Sequence, residues 1–379
     1  VRYPFVRGKT LLENNGAQKK HIIFTIANHF EPGWKKGGVW DRKTQLRRLE
    51  DYRKLARETG EAVRDADGTK FRHGNFYPAE QYDPDLLNIL AEMQEEGLGD
   101  VEVHLHHGVE KPDTAENLRE VLTGFRDRLA DEYRCLSRLD GTGAPMYAFV
   151  HGNLALANSN GGNFCGVDEE LQILQETGCY ADMTLPSAPD RSQVAVINKI
   201  YESGLPLTQK APHRRGKNVA VNGNQPLLPL IFTGPLVFNW KRLINGLPVP
   251  RIDDGALSYN QAMVPARFDR WLSANITVKG RPDWIFIKLY CHGFVDRDQQ
   301  ACIGGDARRF FSEIIEQGEK TSGHKVHFAT PREAFNMVLA AIDGRDGSPG
   351  DFRNYRLQSI MDGAAAKPQV PAKESILIC

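Results

Sequence analysis

Short apolar runs, each closing in a polar loop and followed by a stretch of helical periodicity, recur through most of this chain. The runs from His21 to Ala27, Lys70 to Tyr77, Val101 to Leu105, Met146 to Val150, Tyr180 to Leu185, Trp284 to Cys291 and Val326 to Ala329 read as strands. Between them, helical spacing predicts helices over Asp41 to Thr59, Asp83 to about Gly97, Thr114 to Leu136, Asp168 to Thr177, Ala307 to Gly318 and Thr330 to Ile342. Alternation of this kind is the signature of a parallel sheet joined by crossover helices. The stretch 188–267 breaks it: Pro, Gly and Asn are frequent there and no period is sustained, which predicts an irregular insertion covering the strand ends.

A second regularity lies on top of the first. His29, His106, His151 and His292, four of eleven histidines, fall at or just past the end of an apolar strand. Strand C-termini are where α/β folds assemble their chemistry. The richest case is Val101-Glu102-Val103-His104-Leu105-His106-His107-Gly108. Side chains alternate along a strand, so the valines and Leu105 face one way and Glu102, His104 and His106 the other. Burying an acid and two imidazoles without partners costs several kcal/mol or more. A divalent metal held by neutral imidazole and carboxylate satisfies them together. The plainer reading of these residues is a solvated edge strand carrying surface histidines.

Composition narrows the classes. With 379 residues, 41% hydrophobic, 25% charged and net charge +0, the chain has the make-up of a globular α/β protein. Neutrality argues against a protein whose task is gripping nucleic acid or an anionic membrane, and no apolar run is long enough for a membrane span. Six scattered cysteines without a C-x-x-C suggest no disulfide framework. That cysteine usage makes a reducing cytoplasm the expected location; Val1 to Arg7 hold no apolar signal core, and with no Met at the start a lost N-terminal signal is left open.

In the order of its parts, from about His21 to Ile342, the sequence resembles a divergent branch of the polysaccharide deacetylase superfamily. Glu102-Val103-His104-Leu105-His106 is similar to the family's strand that runs from Glu to the first metal histidine. Phe24-Thr25-Ile26-Ala27-Asn28 falls where that family has a strand ending in two aspartates, and Asn75-Phe76-Tyr77-Pro78 where it has an aromatic strand. Ile287 to His292 is similar to the segment carrying its general acid, and Thr330-Pro331-Arg332-Glu333-Ala334 to its closing helix. The paired aspartates themselves have no counterpart. The second metal histidine, one turn after the first, would fall at Glu110, leaving His104, His107 or Glu110 to replace it. The resemblance implies a distorted (β/α)7-type barrel with an irregular insertion. On this division residues 1–20 form an N-terminal arm, 21–345 the barrel with 188–267 as cover, and 346–379 a polar, loosely packed tail.

The expected activity is a metal-dependent hydrolase removing an N- or O-acyl group from a saccharide, with Zn2+ as the divalent metal and surface-polysaccharide metabolism as a setting. His29, His104 and His106 are the candidate metal ligands. Glu31 or Glu102 would serve as base and His151 or His292 as acid. Asn28 and Asn153 would donate to an oxyanion or to sugar hydroxyls, and Trp34 would stack on a sugar ring. Glu102 reads equally well as a residue that orients a histidine from outside the ligand set. Two alternatives stand beside this reading: a non-catalytic carbohydrate-binding relative that kept the pocket, and an amidohydrolase-type metallohydrolase, whose His-x-His usually ends the first strand.

Overall fold

A computed structural model describes residues 19–362 except 36–37, 241–242 and 245–246. It is a mixed α/β structure around one large, mostly parallel sheet. The repeating units are β1 (His21–His29), α1 (Arg42–Ala62), β2 (His73–Pro78), α2 (Pro84–Glu95), β3 (Gly99–Leu105), α3 (Ala115–Asp131), β4 (Pro145–His151), α4 (Glu170–Glu176) and β5 (Cys179–Asp182). Then come β6 (Ile200–Ser203), β7 (Leu230–Phe232), α5 (Pro265–Ala274), β8 (Trp284–Cys291), α6 (Gly305–Gln317), β9 (Lys325–Phe328) and α7 (Pro331–Ile342).

Sheet order is β6-β7-β5-β4-β3-β2-β1-β8, with β9 beside the first half of β1. Along this order β6 and the short Gly216–Asn218 strand beside it run antiparallel, as do the flanking strands Ser137–Leu139 and Leu357–Ser359. Helix starts are fixed locally. Asp41, Asp83 and Thr114 each accept a backbone N–H of the first turn, and Thr330 and Glu333 close a reciprocal capping box. No helix among the described residues is long and apolar enough to cross a membrane.

The buried residues divide by strand parity. Ile22, Phe24, Ile26, Val103, Leu105 and Phe149 join the apolar stripes of α1 to α6 on the outer face. Ile23, Ala27, Phe76, Ala148, Val150 and Phe286 meet α7 on the other, and all twelve residues of α7 are buried. Lys288 of β8 reaches across that inner face to the carbonyls of Met183 and Leu185, just past β5, at 2.8 and 2.6 Å.

Three expectations change. The 188–267 stretch is not cover alone: it supplies β6 and β7 to the sheet, Leu230 and Ile231 pairing with Ala181 and Asp182. Strands of three or four residues are too short to show a period of two, and Pro229 interrupts the apolar run before β7. α5 begins at the end of that stretch and was not expected. The tail is packed well beyond residue 346. Phe352, Tyr355 and Leu357 are buried, and Leu357–Ser359 pairs with Ser137–Leu139. Asn336 accepts the backbone N–H groups of Arg356 and Leu357. The rest of the expected tail, 363–379, and nearly all of the N-terminal arm lie outside the described residues.

Candidate metal and catalytic site

Parity decides which residues reach the inner face where β1, β3 and β8 end. Through the last pairs of β1 and just beyond, the alternation continues: Asn28 and Phe30 turn outward, and His29 and Glu31 inward. Phe30 is held in the outer core against Phe294, ring centroids 3.9 Å apart. Pro32 and Gly33 then turn the chain away. In β3, Val103 and Leu105 are anchored outward, so His104 and His106 point inward.

These side chains meet at Glu31. Its Oε1 lies 3.1 Å from His104 Nε2, 3.5 Å from His106 Nε2 and 3.8 Å from His292 Nε2. The His29 ring lies tilted beside His104 and edge-on to His292, and its ligand atom lies within 4.8 Å of those of Glu31 and His104. The far nitrogens are already spoken for. His104 Nδ1 sits 2.7 Å from the Val150 carbonyl, and His106 Nδ1 sits 2.6 Å from Glu80 Oε1. Carbonyls and carboxylates only accept, so both Nδ1 atoms donate and both Nε2 atoms turn lone pairs or an extra proton toward Glu31. Lone pairs facing a carboxylate need a proton or a cation between them.

Without a cation the site solves this with protons. Burial would raise the Glu31 carboxyl, but the bonds from His104 and His106 outweigh it and hold it well below the usual carboxylate range. Burial would lower His106, yet Glu31 and Glu80 raise it to about 10. His29 is driven well below an ordinary histidine by burial first, then by His292 and His104. One carboxylate surrounded by four imidazoles is a donor set of N and O atoms suited to a zinc-class ion.

The cluster floors an open pocket of about 430 Å³. Trp34, 54% exposed, stands at its rim with Asn153, while Tyr290, Phe294 and Arg297 line its walls. His292 has a side chain 44% exposed at the mouth. Of the expected residues, His29, Glu31, His104, His106, His292, Asn153 and Trp34 are therefore brought together.

Two are not. Asn28 faces outward and its polar atoms are used: its Nδ2 donates to Asn75 Oδ1 (3.0 Å) and Tyr52 Oη (3.3 Å), and its Oδ1 accepts from Gly293 N (2.7 Å). It binds strands together and has no donor left for substrate. Glu102 points inward but lies deeper than the pocket, accepting from the Tyr180 hydroxyl and from Ala148 N (2.6 Å). Burial raises its carboxyl to about 8, and its depth, outside the pocket lining, keeps it from serving as the base there.

His151 occupies a divided position. Its ring touches the pocket lining, but Tyr147, Phe149 and His151 share the outward parity of β4. Its Nδ1 contacts the Gly152 carbonyl, and its Nε2 faces Glu170 at 3.7 Å. An acid role toward substrate does not fit that orientation. Together with His107, Cys165 and Glu170 it forms a second buried group that could hold a metal ion.

Sequence reasoning passed over Arg297 and Asp298 at the pocket, Glu80 beside His106, and Cys165 and Glu170 in the second group. Glu80 comes two residues after the end of β2, so its place near a strand end was a usable signal; the others sit in loops or on a helix and carried none. Neither a protein-family model nor a curated protein matches the chain.

Proposed function

We propose that the chain is a metal-dependent hydrolase that removes an acyl group from a saccharide, on a distorted (β/α)7-type barrel. Closure of the sheet is supported by Lys288 of β8 bonding to the chain just past β5, and by Gly234, just past β7, which lies so near the Lys288 carbonyl that a Cβ there would collide with it. The observation that carries the activity is the convergence of three imidazole Nε2 atoms on one oxygen of Glu31 at the floor of an open pocket.

His29, Glu31 and His104 are the three buried groups that would hold the ion. A zinc-class ion in that position supplies Lewis acidity toward an acyl carbonyl and lowers the pKa of water. His106 is pinned by Glu80 in the manner of a carboxylate-oriented base: Nδ1–H is committed to Glu80 and Nε2 is left to take a proton. His292, at the mouth, is placed to return a proton to the leaving amine or alkoxide. Asn153 offers an amide donor beside it, and Trp34 a flat apolar face of the kind sugars stack on. The roles expected for Glu31 and His106 are thus exchanged.

The test is hydrolysis of acetylated oligosaccharides against acetyl-peptides by zinc-loaded protein. Hydrolysis confined to peptides overturns the substrate class, and saccharide binding without turnover identifies a carbohydrate-binding barrel instead. His104→Ala is expected to lose the pocket metal. His106→Gln is expected to keep it while kcat falls about 10²–10⁴-fold, the usual worth of a positioned acid or base. Metal loss in His106→Gln would make His106 a ligand and remove the base.

A further inference from the structure

His106 and His107 are consecutive, yet they serve opposite faces of the sheet. Beyond Leu105, which pairs with His151 at the end of β4, His107 turns outward with His151 into the layer between sheet and helices. Glu170, on the first turn of α4, and Cys165, in the loop before it, meet them there. All four are buried, and one ligand atom from each lies within 4.8 Å of the others.

The hydrogen bonds around this group orient it. His107 Nδ1 is 2.9 Å from Asp113 Oδ2, which turns its Nε2 to Glu170 Oε1 at 3.2 Å. His151 Nδ1 donates to the Gly152 carbonyl, and its buried Nε2 has no hydrogen-bond partner among the described residues. Cys165 Sγ lies 3.5 Å from the other oxygen of Glu170. No lysine or arginine among the described residues pairs with that fully buried carboxylate. The contrast is the group Asp65, Asp67 and His327, where the Arg353 guanidinium already stands 2.8 and 3.1 Å from the two aspartates. There the protein supplies its own cation.

We propose that His107, His151, Cys165 and Glu170 bind a structural zinc-class ion on the face of the sheet opposite the pocket. Two imidazoles, a thiolate and a carboxylate make a closed tetrahedral set, and the sulfur selects against magnesium and calcium. Asp113 and the Gly152 carbonyl are the outer partners that fix the two rings. Binding displaces the thiol proton to solvent, so the ion gains a thiolate and a proton is released.

The ion's task is to hold the loop between β4 and α4. That loop runs through Asn153, Leu154, Ala157, Asn158 and Phe164 with φ between 46° and 61°, a left-handed conformation costly for non-glycine residues. Ala157 N donates to Glu170 at 2.5 Å, which ties the strained stretch to the proposed ligand. Gly108 is part of the arrangement: its φ is +63°, and a Cβ there would collide with the Cys165 backbone. Asn153 lies at the pocket rim, so the buried ion stiffens one wall of the pocket from behind.

The experiment uses the full chain purified without chelator. Zinc-edge X-ray absorption of the Glu31→Gln protein, whose pocket site is disabled, is expected to show one sulfur at about 2.3 Å in the metal shell. Cobalt-substituted protein is expected to show a thiolate-to-metal charge-transfer band that survives Glu31→Gln and disappears in Cys165→Ser. Asp113→Asn is expected to weaken zinc binding about 10–100-fold while keeping the band. A metal shell of nitrogen and oxygen alone, no metal bound to Glu31→Gln, or a band that persists in Cys165→Ser overturns the proposal. The absorption measurement needs no cysteine variant, so instability of Cys165→Ser leaves the decision intact. Failure of the pocket reading would instead remove activity and leave the sulfur-bearing site in place.

Discussion

Asn28 and His29 are neighbours with opposite tasks, and only the parity of β1 separates them. Asn28 bonds to Asn75, Tyr52 and Gly293, joining β2, α1 and the chain beyond β8 around the end of β1. Asn28→Ala is expected to leave several buried groups unpaired and to cost about 2–4 kcal/mol of stability, read by urea unfolding. If the variant unfolds like the wild type but loses substrate binding, Asn28 belongs to the pocket after all. The alternation Ile22, Phe24, Ile26, Asn28 against Ile23, Thr25, Ala27, His29 was visible in the sequence. It places Asn28 with the helix-facing residues, and counting it would have removed Asn28 from the substrate candidates. Glu102 is the harder case. Its parity was right, and what excluded it was depth along the strand, which depends on register and which no single strand reveals.

At the scale of elements, strands with long β-branched runs and helices with sequence-local caps were legible. Those whose identity depends on neighbours were not. β8 is eight apolar-rich residues and α7 carries its own capping box, so each announces itself. β6 and β7 exist because pairing with each other and with β5 outweighs weak local preference. Close element packing also leaves marks on single residues. Gly74 of β2 lies against the ring of Pro331, the first residue of α7, and a Cβ there would overlap it. Gly74→Ala is expected to push α7 off the inner face and destabilise by about 1–3 kcal/mol, checked by chemical unfolding. An unchanged unfolding midpoint would mean that α7 packs less tightly than its complete burial implies.

Across the whole molecule, acid is expected to loosen the junction of β2, α1 and the chain after β8. His73 is fully buried, with Nε2 donating to the Cys302 carbonyl at 3.1 Å and Nδ1 2.9 Å from the Tyr52 hydroxyl. Burial lowers its pKa from 6.5 to about 3. Between those values the unfolded chain binds a proton that the folded chain refuses, so this contribution is intact above pH 6.5 and is lost as pH falls toward 3. The full effect is on the order of 4 kcal/mol. His73→Gln is expected to be less stable at neutral pH but to show a flatter stability profile below pH 6.5. An equally steep acid profile in the variant would assign the sensitivity to other groups.

The adjacency of His106 and His107 has a consequence for how such a chain can change over time. The pairing Leu105 with His151, and Pro78 with His104, sets the phase of β3. Inserting or deleting one residue upstream of His104 would send the pocket histidines to the helix layer and His107 to the pocket. Both clusters would be dismantled by the same event. This strand is locked to a single phase by chemistry on both of its sides.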